Sequence, residues 1–330
     1  MAINLIRNSR VFFTTNVDAA TGVVAGSGFT ANNTFEIQVM DGFSFSQNTN
    51  ADNITLNEAG PTPIRGQRAF NSSLAPVDFS FSTYIRPRLA ATLTKIDAEE
   101  KHLWNALAAA GYVGSSGAGW THGYQGSGTP SVVSFANSDV HQLAKFGLII
   151  VFDVTTYTID NCAMDQASID FGIDAITMVA WTGKGTALRQ LATNVAYSSA
   201  TNPVLSGGLV GTISGKNTTA NFITNKLSTV SLVSNIGGAS GTAYTLALTG
   251  GSITIANNIT YVTPANLGVV NLPIGYFTGT RAITGSITAY LRTGTTNTAG
   301  LLSNLLANSA TSAGVEPKYK LQIEIGGSSN

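Results

Sequence analysis

An internal repeat constrains the fold of this chain more than any other feature of its sequence. Five segments recur in the same order, at offsets of about 205 to 220 residues, which indicates a duplicated structural module. They are residues 9–16 (SRVFFTTN) with 228–235 (STVSLVSN), Phe35 onward (FEIQVMDG) with Tyr244 onward (YTLALTGG), 53–55 with 258–260 (both NIT), 66–69 (GQRA) with 279–282 (GTRA), and 81–86 (FSTYIR) with 287–292 (ITAYLR). Each copy then closes on an alternating segment, LIIVFDV from Leu148 and LQIEIGG from Leu321.

The repeat divides the chain of 330 residues into two modules. We expect the first module at residues 1–200 and the second at residues 221–330. A polar, Gly-rich linker at residues 201–220 joins them, because the hydrophobic periodicity fades there. The modules are unequal, since the first carries additional strands toward its end, at residues 167–188, that have no counterpart in the second.

Strand patterns dominate both modules. Residues 35–39 (FEIQV) and 169–173 (IDFGI) alternate between apolar and polar or small side chains, as expected of strands with one buried face. Two segments have helical spacing instead: residues 89–110, which Gly111 would end, and residues 298–307. The sequence therefore predicts a mainly β (α+β) fold, with a duplicated β-barrel or β-sandwich module and one flanking helix in each copy.

Composition excludes several classes of protein. Hydrophobic residues make up 43% of the chain and charged residues 10%, so the chain is too apolar for intrinsic disorder. The apolar run at residues 146–152 is too short to cross a bilayer, and the opening MAINLIRNSR lacks the apolar stretch of a secretory signal, so we expect synthesis in the cytoplasm and no membrane contact. The formal net charge is zero, which argues against tight phosphate binding.

The residues that usually carry chemistry do not form a recognisable site. The single cysteine, Cys162, has no histidine near it in the sequence, and the three histidines lack the spacing of a metal site. Residues 183–186 (GKGT) miss the Gly-Lys-Ser/Thr order of a phosphate-binding loop. We therefore predict no catalytic residue, no metal and no cofactor.

Charge is segregated along the chain. Residues 146–182 contain five aspartates, including Asp160, Asp165, Asp170 and Asp174, but no lysine or arginine, whereas residues 175–315 contain no acidic residue. One interpretation is that these aspartates lie in turns and on solvated strand faces. The other is a surface that repels an anionic molecule.

Several phrases of the sequence resemble tail-tube proteins of long-tailed bacteriophages, especially contractile-tailed ones. They are TFEIQVMDGFSFS, NITLNEAG, RGQRAFN, FSFSTYIRP and ASIDFGIDAITMVAWTGKG in the first module, and GGSITIANNITYVTP and FTGTRAITGSITAYL in the second. The resemblance covers residues 4–188 and 222–325. It implies a small β-barrel or sandwich with a flanking helix, in which sheets of adjacent subunits join around a channel and rings stack into a hollow tube for the genome.

The same resemblance implies the partners and the place of the protein. The partners would be other copies of the chain, the tail sheath, the baseplate or initiator proteins and the tail terminator, while double-stranded DNA passes through without tight binding. The protein would be part of the virion tail and would assemble in the host cytoplasm. A hexameric ring is expected, although three chains with two modules each would imitate the same symmetry.

A tube lumen would explain the charge segregation. DNA that must slide needs a wall without an array of cations, and a mildly acidic lining would keep the duplex centred. The lumen-lining candidates are Asp160, Asp165, Asp170 and Asp174. The alternating pattern predicts that Asp170 and Asp174 lie on one strand face, opposite Phe171 and Ile173.

Two other classes of function remain open. A carbohydrate-binding β-sandwich on a phage or bacterial surface would use exposed aromatic platforms, for which Trp120 in a predicted loop is a better candidate than Trp104 or Trp181 in patterned segments. A hydrolase with a β fold would need two carboxylates together in a cleft, which the second half of the chain, almost without acidic residues, makes a poor fit.

Overall fold

The protein is described by a computed structural model. It describes residues 9–30, 32–54, 68–89, 95–98, 100–108, 119–124, 131–135, 143–152, 155–191, 222–234, 241–267, 270–311 and 319–326. The predicted linker at 201–220 lies outside these residues, as do Gly111 and His141. In the described part of the chain, neither helix has the length and apolar character needed to cross a bilayer.

Twenty strands and two α-helices follow one another along the described chain, and a short 3-10 turn lies at Asn225–Leu227. In the first module they are β1 (Ser9–Thr14), β2 (Thr34–Ile37), β3 (Ser44–Ile54), β4 (Arg68–Tyr84), β5 (Pro87–Leu89), β6 (Lys95–Ala98), α1 (Lys101–Ala108), β7 (Gly119–Thr121), β8 (Gly123–Tyr124), β9 (Val132–Ser134), β10 (Phe146–Phe152), β11 (Thr155–Asp170), β12 (Met178–Gly185) and β13 (Ala187–Gln190). In the second module they are β14 (Thr229–Ser234), β15 (Ala243–Thr245), β16 (Leu248–Ala256), β17 (Ile259–Val262), β18 (Gly275–Thr278), β19 (Ala282–Ala289), α2 (Thr298–Thr311) and β20 (Tyr319–Glu324). The predicted mainly β fold is confirmed.

The long strand β11 joins two antiparallel sheets. Its first half pairs with β10 in the order β2-β1-β10-β11, and its second half pairs with β12 in the order β3-β4-β12-β11. Val11 and Phe13 from the first sheet and Phe79 and Phe81 from the second belong to one buried cluster. The two sheets therefore enclose the main core of the first module, as in a sandwich.

The sequence repeat corresponds to a repeated set of strand pairs. Phe13 of β1 lies opposite Leu148 of β10, and its counterpart Leu232 of β14 lies opposite Leu321 of β20. On its other side β1 pairs with β2, and β14 pairs in the same way with β15. The order and register of pairing thus agree with the offsets read from the sequence.

The second sheet continues into the second module. The hairpin β3-β4 has a counterpart in the hairpin β16-β19, and β16 also pairs with the second half of β11. We call the resulting six strands, β3-β4-β12-β11-β16-β19, the shared sheet. It unites strands from both modules, so the division at 201–220 stays a prediction.

The two predicted helices have different outcomes. The predicted helix at 89–110 is wrong at residue 89 and at residues 95–98, because Leu89 and Ile96 face each other in the strand pair β5-β6. A spacing of seven residues matches one face of a helix, but the pairing of Leu89 with Ile96 across two strands decides the structure here. Helix α1 is only eight residues long and buries Leu103 and Leu107 in the core. Helix α2 begins at Thr298 as predicted and continues four residues beyond 307, to Thr311.

Candidate functional site: the exposed face of the shared sheet

Small polar side chains cover one face of the shared sheet. Along β4, Val77, Phe79 and Phe81 point into the core, and the residues between them point the other way. Cross-strand partners share a face, so the pairing register extends this outer surface over all six strands. Its members, which we call the hydroxyl face, are Ser44, Ser46, Asp78, Ser80, Ser82, Ala180, Thr182, Lys184, Gln166, Ser168, Asp170, Ser252, Thr254, Thr284 and Ser286.

Hydroxyl groups meet across the strands of this face. The side-chain oxygens of Ser44 and Ser80 lie 2.7 Å apart, and those of Ser168 and Thr254 lie 3.0 Å apart. Each pair forms a hydrogen bond across the strands without a charge. The result is a surface made mostly of short, uncharged side chains, with the longer Gln166 among its members and Met178 and Tyr84 at its margin.

That ion pair joins Lys184 of β12 to Asp78 of β4. Lys184 Nζ lies 3.0 Å from Asp78 Oδ1, and both side chains are partly exposed. Lys184 is the one lysine or arginine among the strand positions of the hydroxyl face. Because Asp78 neutralises Lys184, the net charge of the strand positions of the hydroxyl face is the single negative charge of Asp170. The face is therefore weakly negative.

Two of the predicted aspartates lie at the hydroxyl face. Asp170 is the last residue of β11 and is exposed. Asp165 sits at a bulge in β11, where its Oδ1 accepts a hydrogen bond from the Ile259 amide at 2.8 Å. Asp165 also lines a shallow depression of this face together with Ser46 and Lys184.

The structure corrects the prediction that Asp160 lines a lumen, because the side chain of this residue is buried. The residue is 1% exposed and lies in the first half of β11, which is flanked by β10 and β13. Its carboxylate accepts a hydrogen bond from the Val24 amide at 2.9 Å and pairs with Arg189, whose Nη2 lies 2.9 Å from Oδ1. The hydrogen bond to Asp160 raises the pKa of the Arg189 guanidinium. Asp160 therefore joins three segments of the fold and reaches no surface of this chain.

Asp174 lies beyond the strand that was predicted to hold it. The strand β11 ends at Asp170, and the Ala175 amide donates to Gly172 O at 3.0 Å, which closes a turn there. The prediction that Asp170 and Asp174 share a strand face is therefore wrong. Asp174 is exposed, and its Oδ1 lies 2.8 Å from Lys226 Nζ. The hydrogen bond to Asp174 raises the pKa of Lys226.

The residues considered for chemistry have structural environments. Cys162 is buried, its Sγ donates to Ile159 O at 3.2 Å, and burial raises the pKa of its thiol well above the ordinary value. In the described residues, no group of three or more His, Cys, Asp or Glu could hold a metal ion. Trp120 lies in β7 and not in a loop, and it is partly buried against the core cluster with its indole nitrogen covered, which makes it a poor aromatic platform.

The hydroxyl face itself was not predicted from the sequence. Its signal is present in residues 78–84 (DFSFSTY), where serine alternates with phenylalanine. The alternation identifies a strand with one polar face, but not that five other strands extend the same surface. That extension depends on pairings between residues far apart in the sequence, such as Asp78 with Lys184 and Ser168 with Thr254.

Sequence comparison relates the chain to a phage protein. No protein-family model matches the chain. The chain is 34% identical over 297 residues to the tail tube protein pb6 of Escherichia phage T5. It is similar to a phage tail tube protein.

The similarity covers the two chains to different extents. It spans 88% of this chain and 58% of the relative's length. The relative is a tail component, which supports the predictions of a phage tail-tube protein that is not an enzyme and that is located in the virion. Phage T5 has a long non-contractile tail, so the expectation of a contractile tail is not confirmed.

Proposed function

We propose that this chain is a tail-tube protein that polymerises as stacked rings into the hollow tube of a phage tail, through which DNA reaches the host. The observation that carries the proposal is the hydroxyl face: a broad sheet surface, shared by both modules, whose single strand-borne cation is already paired. The similarity to a tail tube protein supports the same function.

Electrostatics explains why such a face suits a DNA conduit. Each lysine or arginine that contacts phosphate releases counterions and strengthens binding, which would slow a sliding duplex. On the hydroxyl face Lys184 is held by Asp78, and the remaining strand charge is that of Asp170. A weakly negative wall repels phosphates without trapping them.

We propose Asp170 and Asp165 as the lumen-lining aspartates. Both lie at the hydroxyl face, Asp170 at its exposed strand end and Asp165 at the depression. Asp174 lies at the neighbouring turn, beside Lys226, and would contribute at the margin. Asp160 is buried in its ion pair with Arg189 and is left out of the lining set.

The ring would form by joining shared sheets from adjacent copies around the channel. Each chain supplies six strands from two modules to one sheet. Three chains would then give six modules around the axis, whereas six chains would give twelve. The shared sheet favours the three-chain ring over the expected hexamer, and the rotational symmetry of the assembled tube distinguishes them.

The further partners follow from the same proposal. A tube of this kind needs an initiator or baseplate complex at one end and a terminator at the other, and a sheath in a contractile tail. The protein would act in the virion tail after assembly in the host cytoplasm. DNA would be a passing cargo and not a tightly bound ligand.

Electron microscopy of the purified protein tests the proposal. Rings with a central channel, or tubes built from them, are the expected result. Particles that stay dispersed and without a channel at high protein concentration would contradict it. A glycan-binding screen on the same preparation covers the carbohydrate-binding alternative, for which the buried Trp120 indole nitrogen predicts no signal.

A further inference from the structure

Apolar side chains of the second module are exposed where their counterparts in the first module are buried. Phe81 is 3% exposed and Val77 is fully buried, whereas their repeat counterparts Ile287 and Ile283 are 38% and 63% exposed. The four residues lie on equivalent strands, β4 and β19, at equivalent positions of the repeat. The residues that cover the apolar side chains of β4 therefore have no counterpart beside β19 in the described part of the chain.

Part of what is missing is a neighbouring strand. In the first module, β4 lies between β3 and β12, and Phe81 lies opposite Trp181 of β12. In the second module, β19 pairs with β16 on one side, and no described strand pairs with its other side. The place that β12 occupies beside β4 is thus open beside β19.

A second open edge lies at the far end of the shared sheet. β3 pairs with β4, and no described strand pairs with its outer side. Every residue of β3 from Asn48 to Ile54 is exposed. Unpaired backbone donors and acceptors on an exposed edge favour the addition of another strand.

The two edges belong to modules of opposite charge. Residues 1–200 carry fifteen acidic and eleven basic residues, a net charge of −4, and residues 221–330 carry two acidic and five basic residues, a net charge of +3. Exposed acids lie at the β3 edge, Asp52 within the strand and Asp41 just before it. Arg292, just after β19, is exposed as well. An edge of the first module and an edge of the second therefore attract each other, while two like edges repel.

We propose that β19 of one copy docks on β3 of a second copy, so that the basic second module meets the acidic first module at every subunit junction. The inference rests on the proposed tube function and identifies the surfaces that join the subunits. A strand of the second copy beside β19 would cover Ile287 as Trp181 covers Phe81, and it would extend the hydroxyl face without a break. Because the two surfaces differ, the contact is head-to-tail, and repeating it closes a ring or builds a filament.

Site-specific cross-linking between two separately tagged copies tests the proposal. One copy carries Ser46→Cys on β3, and the other carries Thr288→Cys on β19. Both positions lie at the edges of the sheet. The matched control is Ala180→Cys on β12, which is also exposed but lies in the middle of the same sheet. The native Cys162 is fully buried and should not react.

The expected result is a Ser46→Cys to Thr288→Cys bridge between copies, at a yield many-fold above that of either position with the Ala180→Cys control. The yield should fall several-fold as salt rises from about 0.05 to 0.5 M, because screening shortens the range of the attraction between modules. A yield that does not change with salt would overturn the electrostatic part of the proposal.

Microscopy of the same samples separates this proposal from the proposed function. Rings or tubes without the Ser46→Cys to Thr288→Cys bridge, or with mainly Thr288→Cys to Thr288→Cys bridges, would overturn the junction and leave the tube function standing. If the samples contain neither assemblies nor bridges, that result would overturn both the proposed junction and the proposed tube function.

Discussion

The hydroxyl oxygens of Ser44 and Ser80 lie 2.7 Å apart on the outer face of the first module, and Ser252 and Ser286 repeat the contact at 3.1 Å in the second. Ser80 and Ser286 occupy the same position of the sequence repeat, one residue before Phe81 and Ile287. Each pair lies across a hairpin, β3-β4 or β16-β19. The duplication therefore preserved the polar face of the hairpin, while the apolar reverse face became buried in one module and exposed in the other.

Loss of the Asp78 charge should make the tube retain DNA. In Asp78→Asn, Lys184 would be the one unneutralised cation among the strand positions of the hydroxyl face, and it would bind phosphate. We expect slower DNA passage and stronger, salt-sensitive DNA retention by assembled tubes, measured by ejection rate and by co-sedimentation. Since the ion pair is partly exposed, the free energy of unfolding should change by no more than about 1 kcal/mol. The double variant Asp78→Asn/Lys184→Gln should return to wild-type DNA passage, and a persistent defect would contradict the role assigned to the cation.

Removal of the buried carboxylate of Asp160 should destabilise the fold strongly. Asp160→Ala leaves the Val24 amide and the part-exposed Arg189 guanidinium without their carboxylate partner, and a buried donor left unsatisfied costs about 1–3 kcal/mol. Chemical denaturation of the unassembled chain measures the loss. The matched control is Asp174→Ala, which removes an exposed partner of Lys226 and should leave the transition unchanged. Equal effects of the two substitutions would show that the Asp160 carboxylate does not stabilise the fold through Val24 and Arg189.

Alkaline conditions should weaken the attachment of the β17-β18 hairpin. Tyr276 donates a hydrogen bond to Leu143 O at 2.8 Å, and burial raises its pKa from 10.0 to about 12. A raised pKa means that the folded chain holds the proton more tightly than the unfolded chain does. The contribution of Tyr276 to stability is therefore complete below pH 10 and is lost as the pH rises from 10 to about 12. Stability curves recorded across this range should fall less steeply for Tyr276→Phe than for the wild type, whereas Tyr290→Phe, at an exposed position, should follow the wild type.

Equivalent substitutions in the two modules should have unequal effects. Phe81→Ala removes a buried ring from the core and should cost about 3–5 kcal/mol in the unassembled chain. Ile287→Ala changes the partly exposed counterpart and should cost about 0.5 kcal/mol or less under the same conditions. In assembled tubes Ile287→Ala should lower the disassembly temperature, because the proposed junction covers that side chain. Denaturation of the dispersed chain and light scattering of the tubes provide the two measurements.

Part of the fold could be predicted because it depends on local pattern. The strands at Phe35 and Leu148 and the start of α2 at Thr298 follow from alternation and helical spacing within a few residues. The helix prediction fails at residue 89 and at residues 95–98, although the sequence there has helical spacing. There the pairing of Leu89 with Ile96, and not the local preference, determined the structure.

The aspartates show the same limit at the candidate site. Asp160 and Asp170 belong to the same strand, yet one is buried beside Arg189 and the other is exposed. No local signal separates them, because burial depends on which distant strands flank each half of β11. The sequence pattern predicts Asp174 on the same strand, but that strand ends four residues earlier. A turn closed at Gly172 follows, and the Asp174 side chain contacts Lys226.

By itself, the sequence determined that the chain is mainly β, that it contains one module twice, and that its charges are segregated. These properties are carried by composition and by side-chain order, which do not depend on how the chain folds back. Only the tertiary structure decided that β11 belongs to two sheets, that the hairpins of both modules continue one polar face, and that no strand of the described residues pairs with either end of that sheet. The reason is that strand partners are chosen by packing and register between distant residues, such as Asp78 and Lys184, and a pattern within one strand does not identify which strand lies beside it.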